Sequence, residues 1–295
     1  LQGGGPVADT INSGARGTAD AANIVNIGTA GNGSTVVADN SSVGGATDAE
    51  KTTVKVAAGS KLDGTADVSG TVDLNLSNTQ AKVGDIGVDA AGQIAKVDLT
   101  VNGSTGASLT AGDVKGGNSE TSTLKVGSGV YFTAQDISGN YELEGQQNYA
   151  SVGQNGNADL TIGGTNTAQV TASGNVGKTG QTVDLHVADG SSFQQTGGVA
   201  AGTIFAKNDN QSAGALTLAS LDGADLTADG TITLGGPTSR STHSLPGHNL
   251  GRRDYQPGGT GRHPIYMPNG RSGLLAGGQL SQANAHLTSS GNANG

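Results

Sequence analysis

The chain has 295 residues, a formal net charge of −9, 52 glycines, no cysteine and no tryptophan. The absence of cysteine excludes a disulfide framework and thiolate chemistry, and no apolar run approaches the about 20 residues that span a bilayer. Only 13% of the residues are charged, whereas disordered chains are usually highly charged and poor in β-branched residues. Since Val, Ile and Thr are frequent here, the composition favours a thin, repetitive β structure.

Short strands are predicted between residues 53 and 234, because apolar and polar side chains alternate there. The core strands predicted from this alternation are 71–76, 94–101, 182–187 and 231–234, and shorter strands are predicted at 53–56, 124–126, 159–162, 168–171 and 216–218. Dipeptides in which Asn or Asp precedes Gly mark tight turns between them. They are Asp63-Gly64, Asn102-Gly103, Asn155-Gly156, Asp189-Gly190, Asp222-Gly223 and Asp229-Gly230.

Two distant segments share one sequence plan. Residues 58–72 and 219–232 both follow Leu-Asp-Gly, then Ala-Asp-apolar, then Gly-Thr-apolar. The spacing of such segments is not fixed, which is typical of a solenoid whose coils differ in loop length. We therefore expect an all-β, parallel β-solenoid, or β-helix. A β-sandwich is the alternative, and the scarcity of bulky aromatic residues weighs against it.

The composition changes abruptly at Gly236. Residues 1–236 carry 10 Lys and Arg against 23 Asp and Glu, whereas residues 237–295 carry five Arg and a single Asp. Because Pro and Gly break regular structure, we expect a solenoid body at 1–236 and an irregular, basic, Pro/His-rich tail at 237–295. The candidate assembly residues of the tail, which would dock on the acidic body of a neighbouring subunit, are Arg252, Arg253, Arg262 and Arg271.

The stretches 58–76 and 219–235 resemble the passenger regions of bacterial autotransporter and filamentous-haemagglutinin-type adhesins. Those families form parallel β-helices on Gram-negative cell surfaces, so the resemblance implies a secreted adhesive or structural role. A second resemblance, to curli-type functional amyloid, rests on the order of one run of residues. This run is Ser151, Gln154, Gly156, Asn157 and Ala158. Both families stack polar ladders along a fibre axis.

Catalytic signatures are sparse. The His-Glu-x-x-His and Gly-x-Ser-x-Gly motifs are absent from the sequence. His186 lies on the polar side of a predicted strand, near Asp184 and Asp189, and Glu142 and Glu144 form the one close Glu pair. Such residues more often face solvent than act as acid and base, so we expect no enzymatic activity.

No cofactor or metal is expected either. Asp222, Asp225 and Asp229 lie close together, and calcium prefers several oxygen ligands from one loop, so Ca²⁺ is kept as an alternative. Asp is, however, also a common turn residue.

The expected function is that of an extracellular structural protein, which assembles with itself head to tail into a bacterial surface fibre, adhesin or biofilm matrix. Unpaired strand edges at the end of a β stack are templates for another chain, and a repeated head-to-tail contact gives a filament. The alternative is a phage or bacterial receptor-binding β-helix that recognises surface glycans. In that case Tyr131, Tyr141 and Tyr149 would be exposed stacking platforms. Neither function requires nucleic acid or a membrane span.

Overall fold

A computed structural model describes residues 23–27, 35–38, 42–43, 51–89, 91–210, 212, 214–219, 221, 224–234, 263–266, 272–275 and 286–289. These residues form β-strands, turns and bends, and no helix occurs among them.

The strands of the first half are β1 (Asn23–Ile27), β2 (Thr35–Ala38), β3 (Ser42–Val43), β4 (Lys51–Val56), β5 (Lys61–Gly64), β6 (Asp67–Val68), β7 (Gly70–Leu76), β8 (Gln80–Lys82), β9 (Val97–Gly103), β10 (Ser108–Thr110), β11 (Val114–Lys115), β12 (Ser122–Val126) and β13 (Tyr131–Val152). The remaining strands are β14 (Ala158–Ile162), β15 (Ala168–Ala172), β16 (Thr182–Val187), β17 (Ser192–Gln195), β18 (Thr203–Asn208), β19 (Leu216–Leu218), β20 (Asp225–Gly230), β21 (Thr233–Leu234), β22 (His263–Tyr266), β23 (Ser272–Leu275) and β24 (His286–Ser289).

The strands stack in parallel as a β-solenoid of about eight turns, as the sequence predicts. Face 1 contains β1, β4, β7, β9, β12, the middle of β13, β14, β16, β18, β20 and β24. Face 2 contains β2, β5, β8, β10, both ends of β13, β15, β17, β19 and β21. Face 3 is narrower and consists of β3, β6, β11, residues 137–138 of β13, and isolated bridges. These bridges join Ile86 to Val68 and Val114, and continue from Val152 through Val176 and Ala200 to Leu221.

The coils differ in length, which explains the irregular period of the sequence. The hydrogen-bonded side chains of Asn75 and Asn102 are 27 residues apart along the chain, whereas those of Lys125 and Glu144 are 19 apart. The strands keep one register on each face, so the variation in length is accommodated between them. A solenoid tolerates this because each coil contacts only its neighbours.

Apolar side chains form continuous ladders inside the solenoid. Leu99 pairs with Leu124, which in turn pairs with Leu143, and all three are buried. Burying one such side chain contributes about 1.5–3 kcal/mol. The largest buried side chains are aromatic, and Phe132 meets Tyr149 edge to face at 5.9 Å between ring centroids. The interior therefore accepts aromatic residues, although their scarcity helped to predict the fold.

β13 is unusually long because its coil turns two corners without leaving the β conformation. Gly139 and Gly145 occupy these corners with φ angles of +86° and +82°. Glycine adopts such angles without a steric penalty. A Cβ atom at Gly139 would collide with the backbone of Gly116, and one at Gly145 with the carbonyl oxygen of Val126. Both corners therefore require glycine for close coil stacking as well as for backbone conformation.

The predicted core strands agree with the structure to different extents. The strand at 71–76 lies within β7, and that at 182–187 coincides with β16. The strand predicted at 94–101 instead begins at Val97, because Asp89 accepts hydrogen bonds from the backbone of Ala91 and Gln93 and closes a local turn. Ile94 consequently lies outside the stack and is 59% exposed. The strand predicted at 231–234 is reduced to β21, Thr233–Leu234.

Within residues 237–295 the structure describes three short strands, β22, β23 and β24. β22 and β23 pair antiparallel. β24 pairs in parallel with β20 and extends face 1 by one strand. The four candidate assembly arginines of the tail lie outside the described residues, as does the proposed boundary at Gly236.

Candidate functional site

The three tyrosines proposed as a stacking platform do not lie together on the surface. Tyr131 is 57% exposed on face 2, whereas Tyr141 and Tyr149 are buried in the interior. The expectation of three exposed rings is therefore wrong for Tyr141 and Tyr149. Along β13, Tyr141 lies on the same inward side as buried Leu143, and Tyr149 on the same inward side as buried Gln147. Each tyrosine hydroxyl group has an internal hydrogen-bond acceptor.

These internal contacts are specific. The Tyr141 hydroxyl donates to the carbonyl oxygen of Lys115 at 2.8 Å, and the Tyr149 hydroxyl donates to Oε1 of Gln147 at 2.6 Å. Burial raises the pKa of both tyrosine hydroxyls, because the charged phenolate would lose its hydration. The two side chains are structural and have no access to an external ligand.

His186 lies on the outer side of face 1, as its polar strand position predicts. Its Nε2 atom is 2.5 Å from Oδ2 of Asp209, and Lys207 Nζ is 3.2 Å from Oδ1 of Asp209. The hydrogen bond from His186 lowers the pKa of the Asp209 carboxyl, and Lys207 acts in the same direction. The partner of His186 is therefore Asp209 in the next coil, and not Asp184 or Asp189. The cluster is exposed and holds two coils together.

The two members of the Glu142 and Glu144 pair differ in burial, since Glu142 is partly exposed and Glu144 is buried. The Glu144 side chain is almost fully buried and contacts Asn166 Nδ2 at 2.7 Å and Lys125 Nζ at 3.3 Å. Burial opposes ionisation of Glu144, but the hydrogen bonds from Asn166 and Lys125 outweigh it and lower the pKa of this carboxyl. Glu144 thus joins three coils as a carboxylate.

The structure describes two of the three turn aspartates suggested for calcium. Asp225 is exposed on β20 and Asp229 lies near its end, while Asp222 is outside the described residues. Within the described part, no three His, Asp or Glu side chains are grouped as metal ligands.

Sequence reasoning missed a ladder of carboxylates at the edge of face 3. Asp67 Oδ1 accepts the backbone N–H of Asp85, and Asp85 Oδ1 accepts that of Asp113, each at 2.8 Å. Lys115 lies 2.5 Å from Asp85 and 3.7 Å from Asp113, and its contact with Asp85 raises the pKa of Lys115. Each carboxylate thus connects successive coils. The signal in the sequence was the recurrence of Asp just before a buried Val or Ile.

The end of face 1 is a candidate contact surface. β24 runs parallel to β20, with Leu226 opposite Leu287 in the register. Within the described residues, β24 has no strand on its other side, and β1 at the opposite end pairs only with β4. The backbone groups on these outer sides are of the kind that template another strand.

A second candidate surface is an open groove on face 2, here called the face 2 groove. Its volume is about 340 Å³. It is lined by Lys61, Leu62, Asp63, Gln80, Ala81, Lys82, Ser108 and Thr110. Tyr131 lies beside it, because Ser108 pairs with Tyr131 in the next coil.

No protein-family model, curated protein or solved structure matches this chain. The parallel β-solenoid therefore stands on the strand register itself. None of the described residues belongs to a helix long and apolar enough to cross a membrane.

Proposed function

We propose that this protein is a structural subunit that assembles with itself head to tail, with β24 of one copy against β1 of the next. The observation that carries the proposal is the parallel addition of β24 to β20, which extends face 1 beyond the last coil. A strand distant in sequence thus continues the ladder, and the same backbone geometry suits a strand from another copy. Because the two ends differ, the contact does not close on itself and produces a filament.

The charge distribution supports a role of the tail at the junction. Residues 1–236 carry 10 basic and 23 acidic residues, so two bodies repel each other, whereas residues 237–295 carry five Arg against one Asp. A basic segment between two acidic bodies lowers this repulsion. Arg252, Arg253, Arg262 and Arg271 supply most of that charge.

A surface location is part of the same proposal. The resemblance of 58–76 and 219–235 to bacterial adhesin passenger regions favours a fibre, adhesin or biofilm-matrix component outside the cell. Labelling of intact producing cells with an antibody against the solenoid tests this location. Signal confined to permeabilised cells would contradict it.

Sedimentation velocity over a range of concentrations tests the assembly. The full chain should form species that grow with concentration. Leu287→Pro should reduce this growth strongly, since proline removes a backbone N–H and disrupts a strand within a sheet. Leu287→Val is the matched control, because valine favours the strand conformation. A full chain that stays monomeric contradicts the function, and equal assembly of Leu287→Pro contradicts the role of β24.

A further inference from the structure

We propose that the face 2 groove and Tyr131 together bind an acidic oligosaccharide. The groove lies on the side of the stack and not at its ends, so this binding is independent of self-assembly. The ligand is defined by three features of the surface, namely an extended shape, one exposed aromatic ring and two ammonium groups.

The groove runs across successive coils. Leu62 pairs with Ala81, Leu109 pairs with the same Ala81, and Leu109 also pairs with Phe132. The outward-facing neighbours Lys61, Gln80, Ser108 and Tyr131 therefore follow one another along the stack. Three strand spacings separate Lys61 from Tyr131, a span of about 14 Å. This length suits several consecutive sugar rings better than a single small molecule.

Tyr131 supplies an apolar platform at one end of the groove. Its side chain is 57% exposed, although aromatic rings are usually buried. The other exposed large hydrophobic residues of the described part lie elsewhere, with Phe205 on face 1 and Ile94 in the excursion before β9. A flat aromatic ring beside hydroxyl and amide groups suits the C–H face of a sugar.

Polar groups along the groove are available for a ligand. Within the described residues, the Gln80 and Ser108 side chains have no hydrogen-bond partner. Thr110 contacts Thr133 through their hydroxyl oxygens at 3.3 Å. These side chains offer donors and acceptors at successive coils, which matches the repeated hydroxyl groups of a saccharide.

The charge of the groove selects an anion. Within the described residues, Lys61 and Lys82 have no ion-pair partner. Asp63 is the one carboxylate in the lining, and its Oδ1 accepts the backbone N–H of Gly64 at 2.9 Å. Beyond Lys82, the outward positions of the described face 2 strands are uncharged Thr, Ser, Asn, Gln and Tyr. Carboxylate or sulfate groups of a sugar therefore meet ammonium groups here.

The experiment is isothermal titration calorimetry at low salt with two matched probes. These are a hexamer of galacturonic acid and the same hexamer with every carboxyl methylated, and a heparin-derived hexasaccharide serves as a sulfated probe. We expect the two acidic probes to bind and the methylated hexamer to bind more weakly. Equal binding of both galacturonan forms would overturn the assignment of an acidic ligand, and no binding of either acidic probe would overturn the site.

Surface variants locate the binding. Tyr131→Ala should weaken binding about tenfold, and Lys82→Gln about threefold at low salt, with the difference shrinking as salt screens the charge. The matched controls are Phe205→Ala, which removes an exposed ring from face 1, and Lys178→Gln, which removes an exposed ammonium group elsewhere. Both controls should bind like the unmodified chain. If Phe205→Ala weakens binding as much as Tyr131→Ala, the proposed location is wrong.

Discussion

The Tyr149 hydroxyl donates a 2.6 Å hydrogen bond to Oε1 of Gln147 in the interior of the solenoid. Gln147 Nε2 in turn donates to the carbonyl oxygens of Leu124 and Glu144, each at 2.9 Å. One buried amide thus connects a tyrosine, its own strand and the preceding coil. Such a network stabilises a core only when every member is paired.

Tyr149→Phe should lower the free energy of unfolding by about 1–3 kcal/mol, because it leaves Oε1 of Gln147 buried without a donor. Urea denaturation measures this change. Tyr131→Phe is the control, since its exposed hydroxyl group should matter by less than about 0.5 kcal/mol. Equal effects of the two substitutions would show that the Tyr149 contact contributes nothing specific.

Glu144 should make the stability of the solenoid depend on pH. Its hydrogen bonds to Asn166 and Lys125 hold its pKa below the ordinary value of 4.5. Because the pKa of Glu144 is lower in the folded chain than in the unfolded chain, its ionised carboxylate stabilises the fold. This stabilisation is complete at a pH above the pKa of the unfolded chain, and it is lost as the pH falls through the pKa of the folded chain. Glu144→Gln should therefore cost about 1–2 kcal/mol at neutral pH and less in acid.

The check is the difference in unfolding free energy between the unmodified chain and Glu144→Gln, measured from pH 7 to pH 3. The exposed Glu120 provides the control substitution, Glu120→Gln. A difference that stays constant over this pH range would contradict the account of Glu144.

The corner at Gly139 should not tolerate a side chain. Gly139→Ala combines a positive φ angle with a collision against the backbone of Gly116. We therefore expect this substitution to lower the free energy of unfolding by more than about 2 kcal/mol. Gly180→Ala separates the two causes, because Gly180 has a φ of +85° but nothing within 4 Å of an added Cβ. Gly180→Ala should lower the free energy of unfolding by only about 1 kcal/mol. Thermal unfolding of both variants measures the two changes. Similar decreases in stability would mean that close coil stacking is not the reason why residue 139 is glycine.

The sequence predicted the fold class from simple signals. Alternation along β7 and β16 was clear, and the small residues indicated a narrow, stacked interior. The burial of Tyr141 was also readable, since it shares parity with Leu143. Tyr149 carried no such signal, because its inward neighbour is the polar Gln147 and the alternation is lost.

Other features depended on contacts between distant coils. The carboxylate ladder from Asp67 to Asp113 joins residues that a variable coil length keeps out of any fixed period. The face 2 groove likewise forms only when β5, β8 and β10 are stacked in register. The pairing of β24 with β20 links residues 225–228 with 286–289, and no local pattern predicts a partner so distant in sequence.

Negative-stain electron microscopy of the purified chain at neutral pH tests the central claim of head-to-tail assembly most directly. The images should show unbranched filaments one solenoid wide, which shorten or disappear when residues 237–295 are removed. Isolated rods or globules of the full chain at every concentration would contradict head-to-tail assembly. Filaments of unchanged length after the truncation would contradict the part assigned to the tail.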